Sequence, residues 1–83
     1  MIVRIHPHAR LRLIERGATE DEVVETVLLG EAFPAKFERS GFRRNFEYNS
    51  EWRSHTYANK QVEAICVPEN DDWLVITVMV KFF

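Results

Sequence analysis

The sequence is short of cysteine, glycine and proline, and it lacks any long apolar run. Its one cysteine, Cys66, cannot form an internal disulfide, which excludes a cysteine-stapled secreted scaffold and fits a reducing compartment. Cys66 lies in the apolar stretch AICV, where a buried inert thiol is expected rather than a nucleophile. With 3 glycines and 3 prolines the chain has no Pro/Gly/Ser linker, and it holds no low-complexity tract or internal repeat. The elements therefore belong to a single domain over residues 1–83. No apolar stretch is long enough to span a bilayer, and the opening MIVRIHPHAR has no apolar core of signal-peptide length. A cytoplasmic protein with no membrane partner is expected.

Several reaction classes lose support in the same way. There is no Gly-rich phosphate loop, no nucleophile elbow and no HExxH string. His6 and His8 flank a proline, His55 is remote, and no Cys/His or carboxylate cluster has ligand spacing, so neither a metal nor a cofactor is expected. Histidines here are expected to be structural or solvent-facing.

What the chain does have is material for one core. Of its 83 residues, 46% are hydrophobic and 12% aromatic, well away from the composition of disordered segments. A chain of this length buries a modest fraction of its surface, so it should fold alone or as a small homo-oligomer such as a homodimer. The formal net charge of −2 argues against a strongly basic phosphate-gripping surface. The charges are segregated, however. Arg4, Arg10, Arg12 and Arg16 cluster early and Lys36, Arg39, Arg43 and Arg44 in the middle, while Glu20, Asp21, Glu22, Glu25 and then Glu69, Asp71, Asp72 gather the acids. Such a distribution permits one basic and one acidic face if the fold brings the basic segments together.

Local signals predict an α+β order. A short strand spans Ile2 to Ile5. Pro7 suits the first turn of a helix and Gly17 the left-handed position after its end, giving a helix over Pro7–Arg16. Thr19 and Glu22 form a capping box for a second helix from Glu20 to about Leu29, ended by Gly30. At 100° per residue Val23, Val24, Val27 and Leu28 share its packed face, opposite Asp21, Glu22, Glu25 and Thr26. Strands are predicted over Phe33–Glu38 and Phe42–Tyr48 around a connection at Arg39–Gly41, then over about Tyr57–Val67, stopped by Pro68. Residues 49–54 carry no decisive pattern. The run WLVITVMV within Trp73–Phe82 predicts a central strand covered on much of both faces. The expected fold is thus a short N-terminal strand, two helices and a three- to four-stranded antiparallel sheet.

Two constellations are candidates for chemistry. His8, Arg12 and Arg16, spaced by four, fall on one helical stripe beside the packing stripe of Ala9 and Leu13, which sets a row of cations at the margin of the core. A second set lies on strands: Lys36, Arg43, Arg44, Tyr48, His55, Tyr57 and Lys60. Metal-free ribonuclease chemistry needs a group to activate the ribose 2′-OH, cations to stabilise the phosphorane and a donor for the leaving oxygen, and these residue types supply them. The plainer reading is that Arg12 and Arg16 pair with the acids of the second helix or with Glu15 and that the strand cations lie on a solvated face. Most aromatics, among them Phe33, Phe37, Phe42, Phe46, Trp52 and Trp73, are expected in the core. Phe82 and Phe83 suggest packing against a neighbour or partner.

The segment HARLRLIERG followed by TEDEVVETVL resembles the opening of domain-of-unknown-function family 4258, through His8, Ala9, Arg12, Leu13, Arg16, Gly17 and the capped second helix. The final strands KQVEAICV and WLVITVMV, with Lys60 and Thr77, extend the resemblance, while Phe33 to Thr56 match in outline only. That family is similar in architecture to RelE/ParE-type and BrnT-like toxins. The resemblance implies a RelE-like fold, a metal-independent endoribonuclease of a toxin–antitoxin pair, and an antitoxin protein and RNA as partners. It would make His8 the acid or base, Arg12, Arg16 and Lys60 the phosphate stabilisers, and Arg43, Arg44 and Tyr57 further RNA contacts. The alternative is a nonenzymatic protein-binding module of the same fold, docking through its sheet edge and terminal aromatics.

Overall fold

The computed structural model describes residues 2–83 and has the expected α+β architecture. The first strand, β1 (Val3–Ile5), leads into helix α1 (Pro7–Arg16) and helix α2 (Glu20–Leu29). Strand β2 (Glu31–Pro34), a short 3-10 turn (Lys36–Glu38), and the long strands β3 (Ser40–Trp52), β4 (His55–Glu69) and β5 (Asp72–Phe82) complete the chain. The sheet order is β1-β5-β4-β3-β2. Consecutive hairpins make β2 to β5 antiparallel, and β1 joins the outside of β5 in parallel, so the sheet is mixed.

Both helices start and stop where local chemistry dictates. Pro7 occupies the first turn of α1, and the preceding His6 caps it, its Nδ1 accepting the His8 amide at 3.1 Å. Gly17 then takes φ 85°, and its amide and that of Ala18 satisfy the last carbonyls of α1. At α2 the Thr19 hydroxyl accepts the Glu22 amide at 3.1 Å while Glu22 Oε1 accepts the Thr19 amide at 2.9 Å.

The helices cover one sheet face. Alternation in β4 turns Lys60, Val62, Ala64 and Cys66 towards them, and the register lines these up with Phe82, Val80, Val78 and Val75 on β5. Val62, Ala64, Cys66, Val75 and Val78 form the core with Ile5, Ala9, Leu13, Ala18, Val23 and Val27, and Phe42, Phe46, Trp73 and Val80 pack against it. On the opposite face the Phe33 ring lies against Gly41, where any Cβ would collide with it.

Several expectations need correcting. Phe33–Glu38 is not one strand. β2 ends at Pro34, which cannot donate to a ladder, and Phe37 and Glu38 then take positive φ (60° and 59°), leaving Phe37 82% exposed. Pro68 does not stop β4, because it sits opposite Trp73 in the penultimate pair of the hairpin and the strand runs on to Glu69. Asn70 and Asp71, both with positive φ, make the turn itself. Residues 49–54 extend the β3–β4 hairpin: Asn49 at φ 46° marks a bulge between Glu47 and Ser50, and Arg53 and Ser54 form a second two-residue turn with positive φ. Strand β4, not β5, is central, since among the described residues β5 has the three-residue β1 alone on its other side. In α2 Thr26 is buried, its hydroxyl donating to the Glu22 carbonyl at 2.7 Å, whereas Leu28 is 52% exposed. Phe82 packs within the chain, stacked on Trp52 with ring centroids 5.2 Å apart and beside Tyr48 and Tyr57.

Candidate functional site

Helix α1 runs beside β5 as a continuation of β1. The His6 amide donates to the Val75 carbonyl at 2.9 Å, Arg16 Nη1 donates to the Val78 carbonyl at 2.5 Å, and Gly17 lies against Phe82 and Trp52. The stripe of His8, Arg12 and Arg16 is therefore carried along the flank of β5, with Arg16 marking where it meets the sheet. Arg16 is part-buried, while His8 and Arg12 are exposed and line a shallow hollow with Leu11 and Glu15. Arg12 pairs with Glu15 at 3.6 Å, an exposed contact between neighbouring turns that holds the guanidinium weakly.

Lys60 is not part of this surface. Alternation in β4 sends it to the helix-covered face, where it is 4% exposed, and its Nζ donates to the Gly17 carbonyl at 2.9 Å and to Glu22 Oε1 at 2.7 Å. The expectation that it stands with His8, Arg12 and Arg16 around one open phosphate pocket is corrected: its charge is spent inside the fold, tying the β4 strand to the α1–α2 junction. A carbonyl and a carboxylate hold the ammonium, as a buried charge requires.

The strand cations divide between the faces. Arg44 follows Val62 to the helix side and reaches Glu25 at 3.0 Å and the Leu29 carbonyl at 3.2 Å. Arg43 lies opposite Glu63 on the other side, with its guanidinium over the Phe33 ring at 4.2 Å. Its Nε is 3.3 Å from Glu31 yet has no hydrogen-bond partner, so this pair is a charge contact without a properly aimed N–H. Tyr57 packs on Phe82, near His55 at the far end of the β3–β4 hairpin. The candidates thus fall in separate places: the α1 stripe beside β5, Lys60 in the core, Arg44 against α2, Arg43 on the open sheet face and Tyr57 in the aromatic cluster.

Acids accompany most of these cations. Besides the pairs above, Arg10 lies 3.2 Å from Glu20, and Arg4 pairs with Glu69. This is the segregated charge of the sequence folded back on itself, each basic segment facing an acidic one. Among the described residues no group of three or more His, Cys, Asp or Glu side chains is placed to hold a metal ion. Burial pushes the Cys66 thiol from 9.0 up to about 12, which leaves it protonated and unreactive at neutral pH.

The feature that sequence reasoning located least well is the outer edge of β5. Phe83 and Asn59 exchange both backbone hydrogen bonds, at 2.8 and 3.0 Å. Antiparallel alternation then turns the backbone groups of Lys81, Met79 and Thr77 towards β4 and those of Phe82, Val80 and Val78 outwards. Arg16 takes the outward carbonyl of Val78, in agreement with that parity. β1 pairs with Trp73, Leu74 and Val75, and among the described residues no strand stands beside the rest of β5. Arg16, Thr77, Met79 and Val80 border a hollow at this edge, with Met79 51% exposed. The apolar run had suggested a covered central strand, and the shortness of β1 is the only sequence feature that pointed elsewhere.

Fold and site together define a small α+β domain with two helices packed on one face of a mixed sheet and one flanking strand left largely open. Residues 5–80 match the family described as Domain of unknown function (DUF4258), and the chain belongs to that family. No curated protein and no solved structure matches the chain. No helix among the described residues is long and apolar enough to cross a membrane.

Proposed function

We propose that this domain is a relative of the RelE/ParE- and BrnT-type toxins that works by docking a partner protein, the counterpart of an antitoxin, and holds no ribonuclease centre of its own. The supporting observation is the unpaired edge of β5, a row of backbone donors and acceptors that another chain can complete. The fate of Lys60 supports the same reading. A phosphate stabiliser must meet its substrate, and this ammonium is enclosed between Gly17 and Glu22. Co-expression with the product of an adjoining gene tests the proposal: a stable complex and no growth arrest when the domain is expressed alone are expected. Growth arrest relieved by that neighbour, with degraded RNA in the arrested cells, would overturn it.

One observation favours a ribonuclease instead. His8 and Arg12 stay exposed in a common hollow on α1, two turns and one turn from Arg16 respectively. On this reading His8 takes the 2′-OH proton and the arginines neutralise the phosphorane as the 2′ oxygen attacks; the bond to the 5′ oxygen breaks, water supplies the proton of the new 5′-hydroxyl, and a 2′,3′-cyclic phosphate remains. Cleavage would persist in EDTA and disappear in Arg12→Ala.

A further inference from the structure

We infer that the segment docking on the open edge of β5 is an acidic, extended strand, with carboxylates alternating against apolar residues. The inference rests on the docking function proposed above and names the chemistry of its partner. Three observations converge on it.

The first is backbone parity. Val80 turns both its N–H and its carbonyl away from β4, and Val78 and Phe82 share that orientation, so the edge offers the ladder of an antiparallel or parallel neighbour. The second is the guanidinium of Arg16 on the Val78 carbonyl. It occupies the acceptor that an incoming strand would use. A partner N–H takes over that carbonyl, and Arg16 is released to meet an anion close by. The third is charge. Arg12 and Arg16 lie on the α1 stripe alongside this edge, on the helix-covered side of the sheet. Glu15 is the acid against Arg12, and the contact is exposed at 3.6 Å.

These charges also choose between occupants. A second copy of the chain paired edge to edge would bring two arginine stripes face to face, which like-charge repulsion disfavours. An acidic strand meets the same stripe with complementary charge. Strand periodicity then divides its side chains: those on the helix side face Arg12 and Arg16, and those on the other side lie against Thr77 and Met79. The partner pattern is therefore acidic and apolar by turns.

The test uses the full chain, isotopically labelled, and two blocked ten-residue peptides, one alternating glutamate with valine and one alternating lysine with valine. The glutamate peptide is expected to shift the amides of Val78–Phe82, to bind at least about tenfold more tightly than the lysine peptide, and to weaken as salt rises. Val80→Pro removes an outward N–H without touching the β4 ladder and is expected to abolish the binding. Because the peptide comparison needs no mutation, it stands even if that variant fails to fold. Equal affinity of both peptides at Val78–Phe82 overturns the acidic assignment and leaves docking at the edge standing. Shifts confined to other elements, or no binding by either peptide, overturn the edge assignment, while a complex with the neighbouring gene product that survives Val80→Pro keeps the docking function and moves its site.

Discussion

A single carboxylate oxygen joins Lys60 to the start of α2: Glu22 Oε1 accepts the Thr19 amide at 2.9 Å and the Lys60 ammonium at 2.7 Å. The capping box would form in an isolated helix. Lys60 adds a strand distant in sequence and, through the Gly17 carbonyl, the end of α1 as well. Helix cap, helix junction and central strand are thereby fastened at one point.

Removing the ammonium should therefore cost stability. Lys60→Met leaves the Glu22 carboxylate and the Gly17 carbonyl without their partner in a largely enclosed place, and a loss of about 2–3 kcal/mol is expected from denaturant unfolding. Glu22→Gln in that background should cost much less than it does alone, because the two groups are coupled. A loss under about 0.5 kcal/mol for Lys60→Met would mean that the pair contributes little to the fold.

Thr19→Ala should lower stability by about 1 kcal/mol through the unsatisfied Glu22 amide. Helical signal should fall with it, while the sheet stays intact until global unfolding. An unchanged unfolding midpoint would show that water replaces the hydroxyl at no cost.

The face of α2 corrected by the structure gives a paired test. Leu13 on α1 is fully enclosed, and Leu13→Ala is expected to cost about 2–4 kcal/mol. Leu28→Ala should stay within about 0.5 kcal/mol, because Leu28 already faces solvent. Comparable losses at the two positions would restore the helical-wheel assignment of Leu28 to the packed face.

Cys66 predicts a trend at high pH. Well below pH 9 the thiol is protonated in both states; as the pH rises through 9 the unfolded chain loses the proton while the folded one keeps it up to about 12. The unfolded state then binds fewer protons, so stability falls by up to about 1.4 kcal/mol per pH unit across that window. Cys66→Ala should lower the stability but remove this part of the slope. Thiol reagents should label native protein only as fast as it opens, and rapid labelling near neutral pH would refute the burial.

Much of this architecture was legible because its signals are local. Pro7, Gly17 and the Thr19–Glu22 box fix helix ends through contacts within a few residues, and the alternation of Val62, Ala64 and Cys66 fixes the buried face of β4. What stayed hidden depends on partners far along the chain. The exposure of Leu28 and burial of Thr26 follow from which side of α2 meets β3 and β4, which a helical wheel does not contain. The β2 region misread because Phe37 and Glu38 take left-handed conformations in residues not specialised for them. The candidate site was legible only in part. Spacing placed His8, Arg12 and Arg16 on one stripe, but it did not show that Arg16 reaches the Val78 carbonyl on β5. Lys60, read as a surface cation, was assigned without the register that turns it under Glu22.

Residue-resolved hydrogen exchange tests the open edge of β5 most directly. In the free protein the amides of Thr77, Met79 and Lys81, turned towards β4, should exchange slowly and that of Val80 rapidly; adding the partner should make Val80 as slow as its neighbours. A Val80 amide already protected in the free chain, or one left fast in a saturated complex, would contradict docking at this edge.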